Sequence, residues 1–319
     1  MAVSHDQASA AGRPLTAAVV VSWEGGATTD RCVGSLLAQE SAPDAVLVVD
    51  NASSEAERAR LREVWGARVR LILLDDNRQF AGGLNAGARA AFAAGAERVL
   101  LLNNDTVLAR DALRRLGAAL DAAPAAGIAG PLVVYADQPG RILSAGERHL
   151  LPLLCVPRTL LRHRPGGATG AYPVQGVMGC AMLVTRACFE AVGGFSEEIE
   201  VYYEDVDFCV GARACGFGAV VEPGAVVYHD GFRGFVAGLT PWAAFLKARN
   251  PWLLVRRRGG PGTWLTFVPT YLVMIGASAT LYAVRGRGDI SRALARGALH
   301  GLRAAVGGRR TPAGTPAGP

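Results

Sequence analysis

Four apolar runs, each ending in polar residues and each followed by an amphipathic stretch, fill the first 125 residues. Few folds accommodate that alternation. Leu15–Ser22 holds Val19-Val20-Val21 in a continuous apolar run, which predicts a strand buried on both faces. Thr28-Thr29-Asp30 offers caps for a helix through about Ala38. Ala45–Asp50 predicts a second strand, and Ser53-Ser54 before Glu55-Ala56-Glu57 opens a helix with acids where its dipole favours them. Val69–Leu74 and Arg98–Leu102 predict two further strands, with helices over Gly83–Ala94 and from about Arg110 to Ala122. Doubly buried strands joined by helices predict an α/β fold with a parallel, doubly wound sheet, whose ligands bind beyond the carboxyl ends of the strands.

After residue 125 the pattern loosens. Ile128–Tyr135 predicts a strand, 136–172 an irregular insertion, and Val174–Thr185 a buried strand through Cys180–Val184. A short helix over Arg186–Ala191 stops at Gly193-Gly194, a second covers Glu204–Cys215, and short strands over Ala219–Glu222 and Val226–Tyr228 precede His229. The expected organisation is a flexible tail over 1–14, an α/β domain over 15–240, a basic helical region over 241–306 and a disordered tail over 307–319. No apolar segment opens the chain, so no secretory signal is expected. The six cysteines form no CxxC pair, and most lie in apolar stretches, as reduced core cysteines do in the cytoplasm.

Charge divides the chain. Residues after 240 carry a net +11 and those before it −5, so the basic end calls for an anionic partner. Trp264–Val284 is uncharged and long enough to cross a bilayer, but Pro269, Gly276 and arginines on both sides leave interfacial docking equally open. Ser291–Val306 places Arg292, Arg296, His300 and Arg303 on one face, with Leu294, Leu302 and Val306 elsewhere, which suits a helix on anionic lipid. A helical subdomain packed on the α/β domain is the alternative. Long apolar runs argue against nucleic acid.

The strand ends carry the candidate chemistry. They read Ser22-Trp23-Glu24, Asp50-Asn51-Ala52-Ser53, Asp75-Asp76-Asn77 leading to Phe80-Ala81-Gly82-Gly83-Leu84-Asn85, and Asn103-Asn104-Asp105. Neither GxGxxG after the first strand nor a P-loop occurs. Asp105 suits a divalent cation, or an Asx turn. Asp50 suits a nucleobase or ribose, or a turn. Gly82 and Gly83 suit amides facing a phosphate, or close packing. His229 is a metal ligand or a structural histidine. Six carboxylates, Glu197, Glu198, Glu200, Glu204, Asp205 and Asp207, crowd into eleven residues of a chain whose net charge is +6. Crowded acids resist ionisation unless positive charge arrives or a proton is to be taken. Glu204-Asp205-Val206-Asp207 opens a helix, as a general base or as dipole-matched charge. Glu197, Glu198 and Glu200 read as a solvated loop.

Taken in order, Val19–Trp23, Val48–Ser54, Asn77–Asn85, Leu101–Asp105, Gly193-Gly194-Phe195, Tyr203–Phe208 and Val227-Tyr228-His229 resemble the inverting family 2 glycosyltransferases of the GT-A fold, over about residues 15–235. The rhamnosyltransferase-like branch, which builds cell-surface polysaccharides, is the nearest in pattern. The resemblance implies a Rossmann-like catalytic domain. Asp205 would be the base, with Glu204 beside it, and Asp50 the nucleobase contact. Ser22, Glu24, Asn77, Gly82, Gly83, Asn85, Asn103 and Asn104 would complete the donor site. Asp105 and His229 would hold a divalent cation, Mg2+ or Mn2+, the positive charge that the acid cluster lacks. The donor would be dTDP-rhamnose or a UDP-sugar, and the acceptor a hydroxyl of a cell-surface glycan or lipid-linked molecule. The place would be an anionic membrane surface at the cytoplasmic face; oligomeric state is left open. Glu24 departs from the Asn common at its position, and Asn103-Asn104 replace the first two residues of the family's D-x-D. Two rivals remain. A sugar nucleotidyltransferase would need a basic Gly-rich loop where Trp23-Glu24-Gly25-Gly26 stands, and Glu204-Asp205 with His229 argues against a non-catalytic membrane-tethered binding protein.

Overall fold

The computed structural model describes residues 14–148, 159–160, 168–230 and 239–307. The expectations for residues 1–13 and 308–319, and for Cys155, lie outside that set.

The first half folds as its alternation dictates. Strands β1 (Thr16–Ser22), β2 (Ala45–Asp50), β3 (Arg70–Leu73) and β4 (Arg98–Asn103) are parallel, in the order β3-β2-β1-β4. Helices α1 (Gly26–Leu37), α2 (Glu55–Trp65), α3 (Gln79–Ala93) and α4 (Ala112–Ala122) follow these strands. Period-two alternation sends the β1 side chains to two cores. Ala18 and Val20 meet Cys32, Val33 and Leu36 of α1 and Leu116 of α4. Ala17, Val19 and Val21 meet Ala81, Leu84 and Ala88 of α3. The helix α3 lies so close to β1 that a methyl on Gly83 would stand 2.7 Å from Val21 Cγ1.

The second half adds strands of both directions to this sheet. It contributes β5 (Thr106–Leu108), β6 (Ala126–Tyr135), β7 (Ile142–Ser144), β10 (Tyr172–Val174), β11 (Ala181–Thr185) and β12 (Gly218–His229); β8 (Glu147–Arg148) and β9 (Thr159–Leu160) form a separate ribbon. Strand β11 inserts antiparallel between β4 and β6. No helix intervenes between β6 and β11 among the described residues, and a strand reached without a helical crossover pairs antiparallel. The two short strands expected before His229 are one strand, β12, with a register shift between Glu222 and Val226 around Pro223. Helices α5 (Arg186–Val192) and α6 (Glu204–Ala214) lie between β11 and β12.

Three helices close the described chain: α7 (Pro241–Arg258), α8 (Pro261–Val284) and α9 (Gly288–Gly307). Thr240 caps α7, its hydroxyl accepting from Ala243 N at 3.2 Å, and Pro241 stands in the first turn, where no backbone donor is needed. On α9, Ile290, Ala293, Leu294, Gly297, Gly301 and Ala304 recur at helical spacing and are buried. This corrects the face assignment. Leu294 is core, whereas Leu302 and Val306 are exposed on the side that carries Arg292, Arg296 and Arg303. His300 is half-buried, with its ring 5.6 Å from that of Phe245.

Candidate functional site

Parallel register sets the site. Pairing Ser22 with Asp50 and Val21 with Asn103 brings the carboxyl ends of β1, β2 and β4 into line. A cavity of about 280 Å³ opens beyond them, walled by Val21, Trp23, Asn51, Asn77, Gln79, Phe80, Asn103, Asn104, Asp105, Val201 and Trp242. Asn77, Asn103, Asn104 and Asp105 were expected there from sequence.

The three-residue strand β5, which carried no sequence signal, pairs Thr106 with His229 of β12. Asp105 Oδ2 therefore stands 3.7 Å from His229 Nδ1. Burial pushes the His229 pKa below the ordinary histidine range, against an upward push from Asp105 and Asp230, so the imidazole is neutral at neutral pH. Asp105 Oδ1 and Asn103 Oδ1 are buried and accept no protein hydrogen bond. Hard oxygens with lone pairs to spare and a neutral imidazole fit a divalent cation. No group of three or more His, Cys, Asp or Glu side chains stands ready to hold one among the described residues. The donor set thus suits Mg2+ or Mn2+, which take one or two carboxylates together with phosphate and water oxygens.

Asp50 is fully buried. Its Oδ2 accepts from Arg58 Nε at 2.8 Å and Ser53 N at 3.3 Å, while Oδ1 is buried and unpartnered. The turn foreseen for this residue is thus made by Oδ2, which leaves Oδ1 free of protein partners. Ser22 Oγ shares a 2.7 Å hydrogen bond with Thr29 Oγ1, which accepts from Asn104 Nδ2 at 3.1 Å. Thr29 therefore braces Asn104 and does not cap α1, which starts at Gly26 without a side-chain cap. Glu24, at φ 47°, accepts from the backbone N–H and hydroxyl of Ser54 and ties the β1 end to the start of α2.

Six expected donor contacts, Ser22, Glu24, Asp50, Gly82, Gly83 and Asn85, do not line the cavity. Helix α3 starts at Gln79, so Gly82 and Gly83 lie inside it, and Gly82 N–H donates to Arg78 O at 3.2 Å. Ala81 N–H is bound by Glu200 O at 2.8 Å. Close packing accounts for both glycines, and neither line of the cavity wall includes them. Asn85 latches the loop before α6 to α3: its Oδ1 accepts from Phe195 N at 2.8 Å and its Nδ2 donates to Phe195 O at 2.9 Å.

The acid cluster separates into distinct roles. Asp205 is 3% exposed; Oδ2 accepts from Gly179 N and Oδ1 from Val206 N, both at 2.8 Å. Cys180 O accepts from Asn103 N at 3.0 Å, so the segment that binds Asp205 through Gly179 is tied to the β4 end, and Asp205 does not line the cavity. Glu204 and His229 are likewise buried beside the cavity without lining it. Asp207 is fully buried and held by Arg258 Nε and Nη2 at 2.9 and 3.0 Å, with Arg257 Nε at 3.2 Å. Glu200 pairs with Arg249 at 3.2 Å, and Glu198 with Arg256. Of the three glutamates read as solvated, only Glu197 is exposed. The positive charge facing Glu198, Glu200 and Asp207 comes from the arginines of α7 and not from a cation at Asp105 and His229. Four of the twelve cations of the basic end are therefore paired within the molecule to Glu198, Glu200 and Asp207.

Sequence reasoning placed Trp23, Asn51 and Phe80 at strand ends without giving them a role, and missed Val21, Gln79, Val201 and Trp242 as cavity walls. Trp23 gave a signal, an aromatic in a polar strand end. Val201 and Trp242 gave none, because only the packing of α7 on the loop before α6 brings them there.

The family profile described as "Glycosyltransferase like family 2" matches residues 13–258. The dTDP-rhamnosyl transferase RfbF of Shigella flexneri is 24% identical over 276 residues, which are 83% of this chain and 88% of that protein. The N-acetylglucosaminyl-diphospho-decaprenol L-rhamnosyltransferase of Mycobacterium tuberculosis is 28% identical over 229 residues, 66% of this chain and 74% of that protein. Two other relatives are much longer, the chain spanning 21% and 40% of their lengths. Among solved structures, mannosyltransferase PcManGT from Pyrobaculum calidifontis, in complex with GDP-Man and Mn2+, superposes with a TM-score of 0.54 at 18% identity, covering 92% of this chain and 88% of that one. The fold is thus that of the GT-A glycosyltransferases, and the chain belongs to glycosyltransferase family 2.

Proposed function

We propose that this glycosyltransferase moves a sugar, with inversion, from a nucleoside-diphosphate donor to an acceptor hydroxyl, with Asp205 as base. The approach of Asp105 to His229 at the mouth of the aligned strand ends carries the reading. Asp50 Oδ1 offers a buried acceptor to the base or ribose, and Asn77, Asn103 and Asn104 offer amides to the rest of the donor. Asp105 and His229 would hold the divalent cation, which when bound offsets the charge developing on the leaving diphosphate. Asp205 takes the proton of the acceptor hydroxyl as its oxygen bonds to the anomeric carbon and the carbon–diphosphate bond breaks. The similarity to two rhamnosyltransferases favours dTDP-rhamnose over a UDP-sugar. A thermal-shift panel of dTDP-, UDP- and GDP-sugars tests the donor: stabilisation by dTDP-rhamnose alone is expected, and stabilisation by another donor in its place would reassign it. EDTA is expected to abolish transfer and Mn2+ to restore it; full activity in EDTA would remove Asp105 and His229 from the metal role.

The acceptor is proposed to sit at the cytoplasmic face of an anionic membrane. The helix α8 is long and apolar enough to cross a bilayer. Its Phe267 and Tyr271 are buried against Trp252 of α7, and Tyr271 OH donates to Ala248 O at 2.6 Å. Leu265, Leu272, Val273 and Val284 are exposed. A span would drag α7, which is ion-paired to the α/β domain, into the hydrocarbon. The packing therefore favours α8 lying in the interface, with Arg292, Arg296 and Arg303 of α9 towards lipid headgroups. Leu272→Glu with Val273→Glu is expected to lower flotation with phosphatidylglycerol vesicles about tenfold, at roughly 1 kcal/mol or more per buried apolar side chain lost. Unchanged flotation would refute docking through this face.

A further inference from the structure

The loop that delivers Asp205 is held in a strained shape by one buried amide on another part of the chain. Glu200, Tyr202 and Tyr203 all have left-handed φ, at 67°, 63° and 77°. None is glycine, and such conformations persist only where the surroundings over-determine them. The surroundings here are Asn250 and Arg249 of α7. Asn250 is fully buried. Its Nδ2 donates to the carbonyls of Ile199, Val201 and Tyr202 at 2.9, 2.8 and 2.8 Å, so three acceptors share two hydrogens. Arg249 Nε donates to Asn250 Oδ1 at 2.8 Å, which turns the NH2 group towards the loop. The Arg249 guanidinium also reaches the carbonyls of Glu198 and Ile199, both at 3.3 Å, and the Glu200 carboxylate.

Two active-site elements leave this clamp in opposite directions. Val201 forms part of the cavity wall, and Glu200 O binds Ala81 N at the start of α3. Tyr203 O accepts from Asp207 N at 2.9 Å and so sets the first turn of α6, which carries Glu204 and Asp205. The donor-side residues Asp50, Asn77, Asn103 and Asp105 hang from the strand ends, and the hydrogen bonds of Asn250 go instead to Arg249, Ile199, Val201 and Tyr202.

We infer that Asn250, oriented by Arg249, is a positioning residue for the transfer step: it fixes the loop that leads into the helical turn carrying the base, and its hydrogen bonds reach none of the strand-end residues of the donor side. An amide is suited to this work because it gathers diverging carbonyls from a fully buried position without bringing in charge.

The inference separates kcat from donor binding. Asn250→Ala is expected to lower kcat about 100-fold, as misplacement of a catalytic group by an ångström does. The donor KM and the thermal shift given by the free nucleoside diphosphate should stay within about threefold of the parent, because the strand-end residues are untouched. Amide hydrogen exchange across residues 199–207 should rise while that of β1 and β2 does not. Asn250→Asp keeps the shape but removes both donors, and should match Asn250→Ala in kcat. Should both fail to fold, Arg249→Lys keeps a cation beside Glu200 but removes the Nε that orients the amide, and the same split should follow with a loss of about tenfold. A kcat unchanged while loop exchange rises would overturn the inference, as would donor KM rising by the factor that kcat falls. The inference rests on Asp205 as base, and the two fail separately. Normal turnover by Asp205→Asn would remove the base, whereas a donor affinity lost together with kcat in the Asn250 variants would remove the positioning role.

Discussion

Asp205→Asn is expected to lower transfer by about 10³-fold, since an amide cannot take the acceptor proton. It is also expected to lower stability by about 1–3 kcal/mol. Both carboxylate oxygens accept backbone N–H bonds, from Gly179 and Val206, and an amide offers one oxygen. The other N–H would then face the NH2 group. In a catalytic domain of this size that amounts to a fall of several degrees in Tm. Transfer assays paired with melting curves check both. Nucleoside diphosphate should still raise the melting point, because Asp205 is not among the walls of the cavity. Turnover at the parental rate would end the assignment of Asp205 as base.

The second large effect is on stability. Removing both Arg257 and Arg258 by alanine substitution is expected to cost about 3–5 kcal/mol, the loss seen when a buried charge is left without its partner. Asp207 has no exposed surface, so its carboxylate cannot recover water. The reverse change, Asp207→Asn, should cost only about 1–2 kcal/mol. A neutral amide is cheaper to bury, and the arginine side chains, 35% and 19% exposed, can turn to solvent. Urea unfolding of the two variants side by side gives the comparison. Equal losses would mean that the pair contributes through packing and not through charge.

Local pattern was enough for the elements whose ends wall the cavity. The buried valines of β1, the Ser54 cap of α2 and the polar residues after β1, β2 and β4 are written in consecutive positions, and a parallel register can only bring such ends to one edge. The position of Asp205 in a helical first turn was equally legible, because Glu204–Asp207 precede a helix stopped at Gly216. Residues whose role depends on a distant partner were misread. Asn85 looked like a donor contact and is a latch on Phe195. Glu198 and Glu200 looked like surface because their arginines lie about fifty residues away on α7.

The sequence by itself determined an α/β scaffold, the edge at which the cavity opens and the family, since each of these is carried by short-range periodicity and by motifs in order. Tertiary structure alone decided three things. It brought His229 to Asp105 through β5 and β12, it neutralised the acid cluster with α7 arginines, and it placed Val201 and Trp242 in the cavity wall. The physical reason is the same in each case. A charge or a strand edge fixes what kind of partner it needs, but many segments of the chain could supply that partner, and only the packing of the whole chain selects which one does.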